Sequence, residues 1–448
     1  MYHLCFKTLL VFTLCCLVSL STQAQRSLEV TKYYDHPSQQ LKEQYQADIT
    51  PAGDTLIQGQ YKRFHPNGNL ATEGLFENNR KQGVFKTYYE NGTKQSELTF
   101  VDNLRQGAFT IYMPDGQPYQ QGEYRQDTLQ GFLAVFEDGY KSKETEFQNG
   151  QVEGKMRVFY RSGQVKEEGT FIGGKPNGMY YTYHENGQLK SEEELLDGIS
   201  NGIFRTYFDD GSPQIIAQNQ NGQRTGEFKQ YDRNGQLVLQ CYYLNGLLDQ
   251  EYLSYYPNGQ LLQKATYKRG ARQGTVLSYY ADGKTKEKTT YTNNEQNISQ
   301  ELYYPDGTLR EAAEYRNGLP YGTRKYYHPN GQIRLVETYK DGKLEGTQKH
   351  YHENGKPARE EEYAQGERMG YVRLYDDQGK LSEEIPYRKT QKLGDYKAYY
   401  PNGQIKVKGT YRYNNRFGHW QYYHENGKPH KIVSYNNKGE VISEKEQQ

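Results

Sequence analysis

Long aliphatic runs are missing from most of this 448-residue sequence, which also holds only four cysteines and one tryptophan. Cys5, Cys15 and Cys16 fall within the first 24 residues, so the remainder keeps Cys241 alone. A disulfide-stapled scaffold is thereby excluded. A thick core of Leu, Ile and Val is excluded by composition. Neither sign of charge dominates, with 56 Lys+Arg against 55 Asp+Glu, and removing Lys7 makes the balance equal. No overall basic excess exists to attract nucleic acid or anionic lipid, so no nucleic-acid partner is expected. Beyond the first residues no segment is apolar enough for a stable membrane span.

What abounds is tyrosine and glycine, 46 of each. Disordered chains are poor in aromatics, so high polarity here does not mean disorder. The composition suits a thin sheet with an aromatic surface and many turns. The glycines are periodic. Aromatic-x-x-Asn/Asp-Gly begins at Phe64-His65-Pro66-Asn67-Gly68, and its glycine returns at Gly92, Gly116, Gly139 and on to Gly427. Sixteen copies follow a 24-residue step, except one step of 23 between Gly116 and Gly139. A short fixed period means a stacked array.

Each unit carries two turns. Proline leads the first at Pro66, Pro114, Pro257, Pro305, Pro329 and Pro401. It suits the first central position of a type I turn, with the glycine next in the left-handed region, giving a three-residue hairpin loop with a G1 bulge. A two-residue Asn-Gly hairpin is the alternative. The bulged loop sets the aromatic three before the Asn opposite the Leu, Ile, Val or Pro three after it, as Tyr183 with Leu189 or Tyr327 with Ile333. Fifteen of sixteen copies have that aromatic; Val135 is the exception. By parity, the aromatic nine after the Asn (Phe76, Tyr124, Tyr267, Tyr339, Tyr411) joins them on one packed face. The second turn is written Gly-x-x-x-Gly, as at Gly150/Gly154 and Gly342/Gly346.

The expected fold is all-β, an elongated, twisted single-sheet array of about sixteen β-hairpins. If flat, thirty-two strands would extend on the order of 150 Å, shortened by twist. Residues 25–56 read as an N-terminal cap or half repeat, 57–440 as the array and 441–448 as a polar tail. Residues 1–24, with Lys7 ahead of the apolar run Leu9 to Leu20 and a small residue at Ala24, read as a cleaved signal peptide. Export to the periplasm, cell surface or exterior follows from that reading.

Apparent chemistry dissolves into the repeat. Gly198-Ile199-Ser200-Asn201-Gly202 matches the G-x-S-x-G nucleophile elbow, but that elbow needs a strand-to-helix turn, and these glycines are the ordinary second-turn pair. His65, His184, His328, His352 and His424 share one repeat position, roughly 9–10 Å apart in successive hairpins, too far for a common zinc. They read as solvent-facing turn flanks. His419, His424 and His430 are the best metal candidates of the chain. Glu192-Glu193 and Glu383-Glu384 are sequence neighbours and so point to opposite faces, not into one acid/base pair. No catalytic residue, metal ligand or cofactor is expected.

A second aromatic series lies six before the Asn/Asp: Tyr61, Phe85, Phe109, Tyr180, Phe204, Phe228, Tyr252, Tyr396 and Trp420. Parity puts it on the other face, where rings flanked by Lys62, Lys86, Lys349 and Lys397 suit contact with a protein or a cell-envelope glycan. Gln250 and Ile298, which replace the usual glycine, and Asn219, which interrupts the packed aromatic series, are expected kinks or insertion sites.

The unit Tyr183-His184-Glu185-Asn186-Gly187-Gln188-Leu189-Lys190-Ser191-Glu192, echoed at Tyr351-His352-Glu353-Asn354-Gly355-Lys356, resembles the MORN repeat variant of bacterial proteins, a family often labelled YwqK-type antitoxins. The resemblance covers roughly residues 57–440 and implies a sheet of β-hairpins without catalytic residues. An antitoxin against a cytosolic toxin fits poorly with an export signal, though an immunity role outside the cytoplasm stays open. Cell-wall-binding hairpin repeats and YD repeats share parts of the signature. The first usually carry a Trp in each unit, and most copies here lack the Asp of the second. A non-enzymatic exported scaffold is the leading expectation, with a peptidoglycan binder as the alternative.

Overall fold

The computed structural model describes residues 26–35 and 39–447; the segment read as a signal peptide, with Cys5, Cys15 and Cys16, lies outside them. The described chain is all-β, an open antiparallel sheet of 38 strands with no helix. The chain divides into two compact units, Met1–Pro176 and Asn177–Gln448. Within each unit the strands form an antiparallel meander, as Thr55–Phe64 pairs with Leu70–Glu77 and that strand with Arg80–Tyr88. In the first, the meander starts with the hairpin Arg26–Tyr33 and Leu41–Ile49. In the second, it ends with Pro429–Tyr435 paired to Val441–Glu446, so the polar tail contributes a strand.

The first turn has the expected bulged form. At Phe64–Leu70, His65 N–H donates to the Asn69 carbonyl and Gly68 N–H to the His65 carbonyl, with Gly68 at φ +89. A type I turn followed by a left-handed residue gives that pattern. Register agrees, with Phe64 opposite Leu70 and Tyr183 opposite Leu189. Asn67 fixes the turn further by accepting from the Asn69 amide at 3.0 Å. The 23-residue step has a physical cause. There the loop is the two-residue Asp138-Gly139, both at positive φ, closed by Glu137 opposite Tyr140. One residue is lost from the loop, and Phe136, not Val135, takes the aromatic place opposite Lys141.

The second turn is a two-residue hairpin loop with both residues left-handed, such as Asn149-Gly150 and Asp341-Gly342, as a type I′ turn requires. The later glycine of Gly-x-x-x-Gly lies four residues on, inside the strand. At Gly83, three residues (83–85) oppose the single Gly74. That is a wide bulge, and Gly83 has φ +75.

Another β-bulge follows every first turn and overturns part of the face assignment. Arg63 pairs with Thr72 and Phe64 with Leu70, so residue 71 is unpaired. The skipped residue reverses alternation. Phe64 and Leu70 therefore face one way, while Phe76 faces the other way with Tyr61. The expected packed trio is split. One face, here the ring face, carries the aromatics six before and nine after the Asn. The opposite face carries the Tyr/Leu pairs at the turn together with a row of Lys, Arg and Glu. The buried hydrophobic residues Phe85, Phe109, Ala217, Cys241, Ala265, Val372 and Trp420 all belong to the ring face.

The expected kinks resolve differently. Gln250 adopts φ 65, the glycine conformation, and the bulge survives. Asn219 sits in unbroken register opposite Arg224. Only the Ile298 copy changes: Glu287–Thr292 pairs with Asn297–Leu302 without any register shift. Its turn is instead lengthened to residues 293–296, with Asn293, Asn294 and Glu295 at positive φ.

Candidate functional site

The ring face is built around a column of small residues. Gly74, Gly122, Ala217, Cys241, Ala265 and Gly409 stand seven after the turn Asn/Asp, opposite the aromatics six before it. The small residues leave room for the rings. A Cβ on Gly409 would lie 2.3 Å from the Trp420 indole, and one on Gly122 2.9 Å from Phe109. The rings then meet the series nine after the Asn/Asp edge to face. Tyr61–Phe76, Phe76–Phe85 and Phe85–Phe100 all have centroids 5.3 Å apart. Phe228–Tyr243, Tyr252–Tyr267 and Tyr396–Tyr411 continue the pattern while Phe109–Tyr124 is tilted at 33°, each separation lying within the range for favourable aromatic pairs.

This geometry corrects the picture of an open aromatic surface. Phe85 is 3% exposed, Phe109 5% and Trp420 0%, whereas Tyr61, Tyr180, Phe204, Phe228, Tyr252 and Tyr396 are partly exposed. The lysines named as flanks lie on the opposite face. Lys62 and Lys86, for example, pair across strands with Glu73 on the charged side.

The rings have cationic caps of their own, at a position ten before the Asn/Asp. Lys81 stands 5.1 Å from the Phe85 centroid, Arg105 4.0 Å from Tyr124, and Arg224 4.5 Å from Phe204. Arg272 stands over Tyr291, Lys392 over Tyr411, and Arg416 4.3 Å from Trp420. All are within cation–π reach. The sequence signal existed: a recurrent Lys or Arg in the same 24-residue phase. Register explains the contact, because this position pairs with the aromatic nine after the preceding Asn/Asp, as Lys81 with Phe76 and Arg416 with Tyr411.

Among the described residues, Lys81, Arg224, Lys392 and Arg416 form no ion pair with a carboxylate. Arg224 is the most constrained. Burial lowers its pKa, and its Nη1 is buried without a hydrogen-bond partner. Burial raises the Tyr61 and Tyr252 phenols above their ordinary value; at Tyr396 burial and the Glu383 carboxylate act together.

From residue 287 to 368 the ring face turns polar. Gln300, Arg324 and Gln348 replace the aromatic and bond to Glu287, Glu311 and Glu337. Glu361, 2% exposed, is paired with Arg359 and Arg368. Buried carboxylates persist where they are paired and hydrogen-bonded, and these are.

The other candidates occupy structural places. Ser200 opens strand Ile199–Tyr207 after a hairpin turn, and its Oγ accepts from Asn219 Nδ2 at 2.6 Å. Of the repeated histidines, His424 is exposed as a turn flank, whereas His65, His184, His328 and His352 are half-buried and bonded to a backbone carbonyl. His65 bonds the Tyr88 carbonyl at 2.8 Å, His184 that of Tyr207 at 3.1 Å, and His328 that of Tyr351 at 3.0 Å. Tyr256, Tyr280, Tyr304 and Tyr400 make the same link from the same position. His424 and His430 have ring centroids 4.5 Å apart, while His419 bonds Ser434. No group of three His, Cys, Asp or Glu among the described residues forms a metal-binding cluster. Glu384 accepts from Tyr399 and Glu383 from Tyr396, on opposite faces.

Comparison with known proteins separates family from detail. No curated protein matches this chain. Among solved structures, the crystal structure of TcdB2-TccC3-Cdc42 aligns at 10% identity and TM-score 0.14, over 91% of this chain and 28% of that one. The crystal structure of TcdB2-TccC3 without its hypervariable C-terminal region aligns at 13% identity and TM-score 0.15, over 91% and 24%. This chain thus spans well under a third of theirs. The MORN repeat variant model matches twelve segments: residues 57–78, 81–102, 152–172, 176–197, 224–245, 251–269, 272–293, 296–317, 320–341, 344–365, 392–413 and 418–437. These make up more than half of the sequence and follow its hairpins unit by unit, so the chain belongs to the MORN repeat variant family.

Proposed function

We propose that this protein is an exported, non-enzymatic repeat scaffold whose ring face binds a protein or an anionic cell-envelope component. The observation that supports this reading is the row of cations over the rings, several without a carboxylate of their own. Such a surface offers positive charge backed by aromatic area, a combination suited to acidic partners. Stacking of neutral sugars needs open ring faces. Trp420 is fully buried beneath Arg416, which argues against sugar stacking at that copy. The peptidoglycan reading keeps Tyr180 and Phe204 as its best positions. The signal segment supports action outside the cytoplasm, where an immunity role would also operate.

The test is binding of the mature chain to purified cell-wall material and to isolated envelope proteins. Charge reversal of Lys81, Arg224 and Lys392 together should weaken capture at least tenfold and flatten its salt dependence. Saturable cell-wall binding that survives this triple change but is lost on Tyr180→Ala with Phe204→Ala would instead establish the glycan role. Export is checked separately: N-terminal sequencing of secreted material should begin near Gln25.

A further inference from the structure

The face opposite the rings carries a cross-strand row formed five before and six after each turn Asn/Asp. Where both members of a pair are charged, opposite signs usually meet. Lys62 faces Glu73, Lys86 faces Glu97, Lys349 faces Glu360 and Arg373 faces Glu384. Opposite charges in such positions attract, and like charges directly opposite repel. One pair breaks the rule. Lys397 stands opposite Lys408. Neither makes an ion pair among the described residues, although Glu384 lies across from Lys397 on the preceding strand. Glu384 is already engaged by Arg373 and by the Tyr399 hydroxyl.

A cleft of about 260 Å³ opens at this pair, lined by Asp395, Lys397, Lys408, Thr410, His419 and Gln421. The wide bulge at Gly418–Trp420 shapes it by setting three residues against the single Gly409. Asp395 is the one carboxylate in the lining, and it accepts from the Thr410 hydroxyl at 3.0 Å. His419 uses Nδ1 toward Ser434, which leaves Nε2 for another partner. Side chains of Lys397, Lys408, His419 and Gln421 thus line a space large enough for a small ion, with the Lys408 ammonium also lying 5.4 Å from the Tyr423 ring centroid.

We propose that this cleft is a binding site for an oxyanion of the phosphate class. Like-charge opposition is relieved when an anion sits between the two ammonium groups, and two positive charges match a dianion better than a monocarboxylate. The site lies on the face that the scaffold reading leaves unused, so each can fail without the other.

The experiment is thermal unfolding and calorimetric titration of the mature protein with inorganic phosphate in a low-salt buffer free of other oxyanions. Saturable binding and a phosphate-dependent rise in Tm are expected for the wild type, as for any ligand held only by the folded state. Lys408→Glu restores alternation. It should weaken phosphate binding at least tenfold and raise Tm in the absence of phosphate. Lys408→Gln should also weaken binding, and Lys349→Gln, in a regular part of the row, should leave it unchanged. Equal phosphate responses in wild type, Lys408→Glu and Lys408→Gln would overturn the proposal, as would no saturable response in the wild type.

Discussion

Gly409 shows how a single atom sets the arrangement of a ring. No positive φ requires glycine there; the space is taken by Trp420, whose indole lies where a Cβ would be. Gly409→Ala forces the ring aside, and overpacking of this kind costs about 1–3 kcal/mol. Urea unfolding should show that loss, while Trp fluorescence reports the displaced indole. Cys241 fills the same repeat place with no exposure, and burial raises its thiol pKa. The thiolate is the reactive form, so a thiol reagent should label Cys241 only as the chain unfolds. The sequence makes this cysteine look like a stray. In its column it is a small side chain opposite Phe228.

At the scale of the hairpin, turns were the most legible part of the molecule, because Pro, Asn and Gly declare backbone angles directly. The pairing of Tyr183 with Leu189 follows from loop length alone. The assignment of Phe76 to their face failed because one unpaired residue reverses all later alternation, and side-chain identity does not mark it. The cationic caps were missed for the same reason: only the true register brings Lys81 beside Phe76. Two changes probe these elements. Gln250 holds a left-handed conformation that costs roughly 1–2 kcal/mol for a residue with a Cβ. Set against the greater unfolded-chain entropy of glycine, Gln250→Gly should stabilise by about 0.5–1 kcal/mol in denaturant melts. Tyr304→Phe removes the 3.1 Å hydrogen bond to the Tyr327 carbonyl and should cost about 1 kcal/mol, mainly in protection of amides at that turn from hydrogen exchange.

For the whole chain, repetition means that one chemistry is titrated many times. Tyr88, Tyr303, Tyr339, Tyr375 and Tyr399 are each pushed up to about 12, first by burial and then by a hydrogen-bonded glutamate. The folded state therefore holds these protons more tightly than the unfolded chain does, whose phenols titrate near 10. Their contribution is fully present below pH 10 and is lost as pH rises from there to about 12. Tm should fall across that window, and ultraviolet titration should show these five phenols ionising together with unfolding. Replacing Glu360 by Gln should shift the onset for Tyr375 without removing the general decline. Family and fold class were legible from phase. The exposure of the rings was not, because burial depends on neighbours two strands away. Lys397 and Lys408 stand out only after the row is laid across the sheet.

The copy at Ile298 carries one more consequence. Its strands have given up the wide bulge, its turn has grown by the same two residues, and the spacing from Gly283 to Gly307 is unchanged. Length in this fold is therefore conserved as a sum over loop and strand, with residues exchangeable between them. A hairpin has two isomers of equal contour, one bulged and one long-looped. A residue other than glycine at the bulge is compatible with either isomer, bulged at Gln250 and long-looped at Ile298, and both leave the neighbouring repeats in phase.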